Sequence, residues 1–121
     1  MDLQNLVERY LAVWNETDST ARRKLLEDVW ATDGTYTDPM VATRGREEFD
    51  AAVAAVQTQF AGLVFRLGSP IDAHHNAARF TWELAPEGAE EALIVGFDVL
   101  TATEDGRVAT VVGFLDKVPA A

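Results

Sequence analysis

Cysteine is absent from the 121-residue chain, and basic residues are scarce. Without cysteine there is no disulfide, no thiolate nucleophile and no cysteine-ligated metal site. Ten lysines and arginines stand against twenty aspartates and glutamates, which gives a net charge of −10. Because an acidic surface repels phosphate groups, this charge argues against nucleic acid or an anionic membrane as a partner and favours a neutral or cationic ligand.

Long hydrophobic runs are absent as well. No apolar stretch approaches the length of a membrane-spanning helix, and Met1 is followed by Asp2 without the basic and apolar segments of a signal peptide. We therefore expect a cytoplasmic protein. The length suits one hydrophobic core, so we expect a single domain over residues 1–121.

Three segments in the first half have the apolar spacing of amphipathic helices. The first has one continuous apolar stripe, formed by Leu3, Leu6, Val7, Tyr10, Leu11 and Trp14. The second is capped by Asp18 or Ser19 and has an apolar face made of Ala21, Leu25, Leu26, Val29 and Trp30. The third begins at Arg44-Gly45, ends at Gly62 and turns inward Phe49, Ala52, Val53, Val56 and Phe60.

Strand signals dominate the second half. Asp33-Gly34 predicts a turn into a short first strand that contains Tyr36. From Leu63 onward, turn residues divide a β-branched and aromatic sequence into four strands of an antiparallel meander, over residues 63–72, 77–85, 91–103 and 107–118. Three helices and such a sheet indicate an α+β fold. Helices over one face of long strands leave a pocket, and the apolar outer face predicts a homodimer.

Three polar side chains stand where apolar residues are expected, and they are candidates for catalysis. Tyr10 lies on the stripe of the first helix, Asp38 ends the first strand before Pro39, and Asp98 interrupts an apolar strand. Proline restricts the residue before it to extended geometry, so Asp38 is held in a fixed position. Each has a structural alternative: Asp38 as a turn residue, Tyr10 as a core residue, and Asp98 as an exposed residue or the ion-pair partner of Arg79.

Four segments of the chain resemble the nuclear transport factor 2-like superfamily. They are Leu6 to Asn15, Tyr36-Thr37-Asp38-Pro39, Gly96-Phe97-Asp98 and Asp105 to Val108. Within the superfamily, the ketosteroid isomerases and the SnoaL-like polyketide cyclases are the most similar enzymes. The resemblance implies three helices packed on a curved antiparallel sheet with a cone-shaped pocket, a fold also called cystatin-like.

The resemblance also implies roles for the three polar residues. Asp38 matches the proton-transferring base, Tyr10 the phenol donor and Asp98 the protonated carboxyl donor. These groups are what the shift of a double bond beside a carbonyl requires, because a base must take the α-proton and donors must stabilise the enolate oxygen. No cofactor is implied, and the alternative within the same fold is a non-enzymatic ligand-binding or assembly module.

The expected ligand is a small apolar molecule. The side chains expected to bind it are aromatic or aliphatic: Trp14, Trp30, Tyr36, Phe49, Val53, Trp82 and Phe114. If the tryptophans face inward, a ligand smaller than a steroid fits better.

Two other enzyme types of the superfamily match less well. Limonene epoxide hydrolase-like members have an arginine two positions before the strand aspartate, where this chain has Gly96. Scytalone dehydratase-like members use pocket histidines, but His74-His75 falls at a predicted hairpin turn, where adjacent side chains diverge. We therefore expect neither histidine to serve as a metal ligand.

Overall fold

The computed structural model of the chain describes residues 2–119. Within this range there are three helices, α1 (Leu3–Asn15), α2 (Ser19–Val29) and α3 (Gly45–Gln59). Seven strands accompany them: β1 (Trp30–Thr37), β2 (Ala42–Arg44), β3 (Leu63–Leu67), β4 (Asp72–His74), β5 (Ala77–Pro86), β6 (Ile94–Ala102) and β7 (Val108–Lys117). None of these three helices has the length and apolar composition that crossing a bilayer requires.

The helices begin where the local chemistry predicts. The Asp2 carboxylate caps α1 by accepting from the Asn5 backbone N–H at 2.9 Å, and Asp18 caps α2 through the Ala21 N–H at 2.8 Å. The α3 helix begins at Gly45, whose φ of 85° is a left-handed conformation that favours glycine. All six residues of the predicted α1 stripe are buried, so this helix packs along its whole length.

The seven strands form one curved, open sheet with the order β2-β1-β7-β6-β5-β3, and β4 pairs with β5. The predicted meander is present, since β5, β6 and β7 pair antiparallel in sequence. The sheet is mixed rather than wholly antiparallel, because β1 pairs parallel with β7. These two strands are far apart in the chain, and a crossover that includes α3 connects them instead of a hairpin.

Two predictions about the strands are wrong, while the other strand ends differ by at most three residues. Asp33-Gly34 does not turn the chain, because β1 runs through it and only the register with β7 is irregular there. The strand predicted over residues 63–72 is divided into β3 and β4. Pro70 lies in the gap, and a proline cannot donate a ladder hydrogen bond.

A buried arginine ties the three helices together. Arg22 on α2 is only 3% exposed, and its guanidinium donates to Asp50 Oδ1 on α3 at 2.5 Å. It also donates to the Glu16 carbonyl at 2.9 Å and to Gln57 Oε1 at 2.9 Å. The Gln57 amide in turn donates to the Trp14 carbonyl at the end of α1 at 3.0 Å. Since removing one partner would leave buried polar groups unpaired, this network fixes the helices relative to one another.

The outer face of the sheet is apolar around β6 and β7. Phe97 lies opposite Phe114, and Val99 lies opposite Val112, on the face directed away from the helices. Phe114 is 55% exposed and Val112 is 43% exposed. Apolar patches of this kind on a monomer favour self-association.

We propose that this outer face forms a homodimer, as the sequence predicts. Light scattering should report twice the chain mass at micromolar concentration, and Phe114→Glu should shift the protein to monomer because the charge would be buried in the interface. Met40→Glu is the matched control. Met40 is also apolar and 78% exposed, but it lies beside the cavity and not on this outer face. A wild-type protein that is monomeric under these conditions would contradict the proposal.

Candidate active site

A cavity of about 340 Å³ lies between α1, α3 and the inner face of the sheet. Most of its lining is apolar, with an aromatic wall that includes Trp14, Phe60, Phe65 and Trp82. Among residues 2–119, no lysine, arginine or histidine lines it. Its polar side chains are few, as is typical of small-molecule sites, and they are Tyr10, Tyr36, Asp38, Gln59, Asp98 and the indoles of Trp14 and Trp82.

Asp98 faces the cavity from the middle of β6. Burial alternates along this strand, so that Asp98 shares the inner face with Ile94, Gly96 and Leu100. The carboxyl is 2% exposed, and both of its oxygens are hydrogen-bonded. The Tyr10 hydroxyl donates to Oδ2 at 2.8 Å, and Trp82 Nε1 donates to Oδ1 at 3.1 Å.

Burial raises the pKa of Asp98 from 3.8 to about 6. The hydrogen bonds from Tyr10 and Trp82 stabilise the ionised form and lower this pKa, whereas the nearby Asp38 carboxylate raises it. Desolvation dominates, and the shift has the direction expected from the apolar neighbours in the sequence. Burial also raises the pKa of Tyr10 well above its usual value, with the charge of Asp98 adding to the effect.

Asp38 lies at the end of β1, half-buried beside the cavity. Its Oδ1 accepts from the backbone N–H groups of Met40 at 2.8 Å and Val41 at 3.0 Å. Its Oδ2 accepts from the Tyr36 hydroxyl at 2.7 Å. A carboxylate has about four acceptor positions, so Oδ2 keeps one that is free to take a proton. Asp38 is therefore both a turn residue and a fixed carboxylate at the cavity.

A glycine brings the two carboxyl groups together. Gly113 on β7 lies directly opposite Asp98. A Cβ at this position would lie 2.7 Å from Asp98 Oδ1 and 3.6 Å from the Cβ of Asp38. Gly113 is not among the predicted site residues, and its one signal in the sequence is a glycine inside a predicted strand, which often marks a close approach.

Three of the seven predicted ligand-binding residues line the cavity: Trp14, Tyr36 and Trp82. Trp30, Phe49 and Val53 do not, because they are 0% exposed and lie in the core, where Trp30 stacks on Phe49 with ring centroids 3.9 Å apart. Phe114 lies on the outer face, since it follows the inward-facing Gly113. For these four residues the prediction is corrected, and the first three support the cavity wall from behind.

The alternative ion pair of Asp98 with Arg79 is also wrong. Phe80 is the residue opposite Asp98, so Arg79 lies on the other face of the sheet. There its guanidinium donates to Asp72 Oδ2 at 3.0 Å, with both side chains largely exposed. His74 and His75 lie exposed at the turn between β4 and β5, away from the cavity. Across residues 2–119, no three histidine or acidic side chains are grouped as metal ligands would be.

Three helices on a curved, open sheet, with a polar cluster inside an apolar pocket, define a nuclear transport factor 2-like, or cystatin-like, fold. The sequence profile of the SnoaL-like domain matches residues 7–111. The chain therefore belongs to the SnoaL-like family. No curated protein sequence matches it.

Solved structures give the same assignment. A candidate isomerase of the SnoaL-like family from Agrobacterium tumefaciens str. C58 is similar over 93% of this chain and 96% of its own, with 37% identity and a TM-score of 0.86. A candidate SnoaL-like polyketide cyclase from Jannaschia sp. CCS1 is similar over 93% of this chain and 86% of its own, with 16% identity and a TM-score of 0.70. The second likeness supports the fold alone.

The raised pKa of Asp98 predicts a specific pH dependence of stability. The folded protein holds this proton more tightly than the unfolded chain, so the contribution of Asp98 is present at acid pH and is lost as pH rises from 3.8 to about 6. A shift of this size corresponds to about 3 kcal/mol.

Asp98→Asn removes the titration but keeps the side-chain size. In urea unfolding, the variant should gain about 3 kcal/mol relative to wild type between acid and neutral pH. A difference between the two proteins that stays constant across this range would contradict the assignment of a raised pKa.

Proposed function

We propose that the cavity binds a neutral, largely apolar carbonyl compound and isomerises or cyclises it by acid–base catalysis without a cofactor. The observation that carries the proposal is that Tyr10, Asp38 and Asp98 all line one apolar cavity. The similar Agrobacterium tumefaciens protein is described as a candidate isomerase, which supports the same class of reaction.

Asp38 is the base in this mechanism. Its Oδ2 takes a proton from the carbon next to the carbonyl. The electron pair of that C–H bond forms a C=C bond, and the π pair of the carbonyl moves to its oxygen to give an enolate. The three hydrogen bonds to Asp38 keep the carboxylate in one orientation, which removes the entropy of aligning it for each proton transfer.

Tyr10 stabilises the enolate oxygen by donating its hydroxyl hydrogen, and the largely apolar lining makes this interaction stronger than it would be in water. In an isomerisation, Asp38 then returns the proton to a different carbon, and the double bond moves. In a cyclisation, the enolate carbon instead attacks a second carbonyl of the same molecule, whose oxygen takes up the proton.

The charge of the site selects the substrate. Asp38 and Asp98 are acidic, and the described lining offers no cation to balance a carboxylate or a phosphate. The net charge of −10 adds to the repulsion of anions. Exposed apolar residues surround the cavity and favour an apolar ligand: Met40, Val41, Leu115 and Val118. The volume of about 340 Å³ is at the small end for ligand pockets.

Proton exchange tests the base without knowledge of the natural substrate. Wild-type protein should accelerate the exchange of α-protons for deuterium in small apolar ketones, measured by NMR in heavy water. Asp38→Asn should reduce this acceleration by about 10²- to 10⁴-fold, because the amide cannot accept the proton.

Asp72→Asn is the matched control, since Asp72 is an exposed carboxyl outside the cavity. The control should exchange at the wild-type rate. Equal exchange in wild type and Asp38→Asn would refute Asp38 as the base. Ketone binding with no exchange in any variant would favour the non-enzymatic binding module.

A further inference from the structure

Trp82 occupies a space that a glycine leaves open. It lies on β5 directly opposite Gly96 on β6. A Cβ at position 96 would lie 2.7 Å from Trp82 Nε1 and closer still to two carbons of the indole. The indole therefore lies across Gly96, in a position that any larger residue there would exclude. From this position its N–H donates to Asp98 Oδ1 at 3.1 Å.

An indole N–H donates a hydrogen bond and cannot accept one. While Trp82 holds Oδ1, that oxygen of Asp98 is an acceptor in both protonation states. Because the carbonyl oxygen of a carboxylic acid accepts hydrogen bonds better than its hydroxyl oxygen, a proton on Asp98 is then favoured on Oδ2, which lies 2.8 Å from the Tyr10 hydroxyl oxygen. In this state Asp98 donates to Tyr10, and the hydroxyl hydrogen of Tyr10 is released to the cavity that Tyr10 lines.

We propose that Trp82 is a positioning residue that fixes the proton of Asp98 on Oδ2, so that Asp98 donates to Tyr10 and Tyr10 alone donates to the carbonyl oxygen of the ligand. This rests on the proposed function and makes it more specific. It also differs from the roles implied by the resemblance, in which Asp98 donates to the enolate directly.

The protonation state of Asp98 decides whether the Tyr10 hydroxyl can donate a hydrogen bond to a ligand. When Asp98 is ionised, Tyr10 donates to Oδ2 and has no hydrogen for a ligand. When Asp98 is neutral, the phenol hydrogen is available. The titratable groups that face Asp98 are Tyr10 from α1, Tyr36 from β1 and Asp38 just after β1. Ketone binding should therefore weaken as pH rises through the Asp98 pKa of about 6.

The ligand 2-acetylnaphthalene tests the direction of donation, because this neutral aromatic ketone has no titratable group in the range studied. Calorimetry should show tighter binding to wild type at acid than at neutral pH, by about two- to tenfold, as expected for one hydrogen bond. Asp98→Asn should bind as tightly at neutral pH as at acid pH, since Trp82 directs the amide nitrogen toward Tyr10.

Two variants test Trp82 itself. In each, carboxyl-carbon NMR measures the pKa of Asp98 without any ligand. Trp82→Phe keeps an aromatic wall but removes the donor to Oδ1, so the pKa of Asp98 should rise further. Gly96→Ala should displace the indole and produce the same change with every functional group still present. Thr81→Ala is the control: Thr81 is next to Trp82 on β5 but lies on the other face of the sheet, opposite Phe97, so its substitution should leave the Asp98 titration unchanged.

An unchanged Asp98 titration in both Trp82→Phe and Gly96→Ala would overturn the positioning role. Ketone binding that is absent, or independent of pH in wild type, would overturn donation through Tyr10. If the Asp98 titration shifts as expected but no proton exchange is found, the proposed acid–base function fails and the positioning role of Trp82 stands.

Discussion

A carboxyl group buried in an apolar sheet is the constraint on which the site depends. Asp98 has little access to water, and an unpaired ionised carboxylate there would be strongly destabilising. The protein meets this constraint with two donors, Tyr10 and Trp82, and with a pKa raised to about 6. Neither donor alone satisfies both oxygens, so helix α1 and strand β5 must both be in place before the site exists.

The rest of the fold keeps these donors in position. The α1 stripe buries Tyr10 among aromatic rings, and its ring stacks 6.2 Å from Trp30 and 6.3 Å from Phe49 between centroids. The Arg22 network holds the end of α1 against α3. Glycines 96 and 113 provide the space in the sheet that Trp82 and Asp98 occupy. The residues that stabilise the fold therefore also hold the donors of Asp98 in position.

Much of this arrangement could be predicted from the sequence, because it follows from local chemistry. The period of the α1 stripe places Tyr10 inward, Pro39 fixes Asp38 at a strand end, and a carboxyl among apolar residues marks Asp98. The sheet register could not be predicted, since it depends on pairing between distant strands. A shift of one residue reverses every side chain, and this decides that Arg79 and Phe114 face outward.

The sequence also could not predict which apolar side chains line the cavity and which lie in the core. Phe49 and Val53 share the apolar face of α3 with Val56, yet only Val56 lines the cavity. Both environments select the same residue types, and which one a side chain enters depends on how far the helix diverges from the sheet. The same limit applies to Trp30, which fills the core, and Trp82, which borders the cavity.

A crystal structure with a neutral aromatic ketone bound at acid pH tests the roles of Tyr10 and Asp38 most directly. We expect the carbonyl oxygen to lie within hydrogen-bond distance of the Tyr10 hydroxyl, with the α-carbon next to Asp38 Oδ2 and the Trp82–Asp98 hydrogen bond intact. A ketone whose oxygen contacts Asp98 directly, or whose α-carbon lies away from Asp38, would contradict these roles.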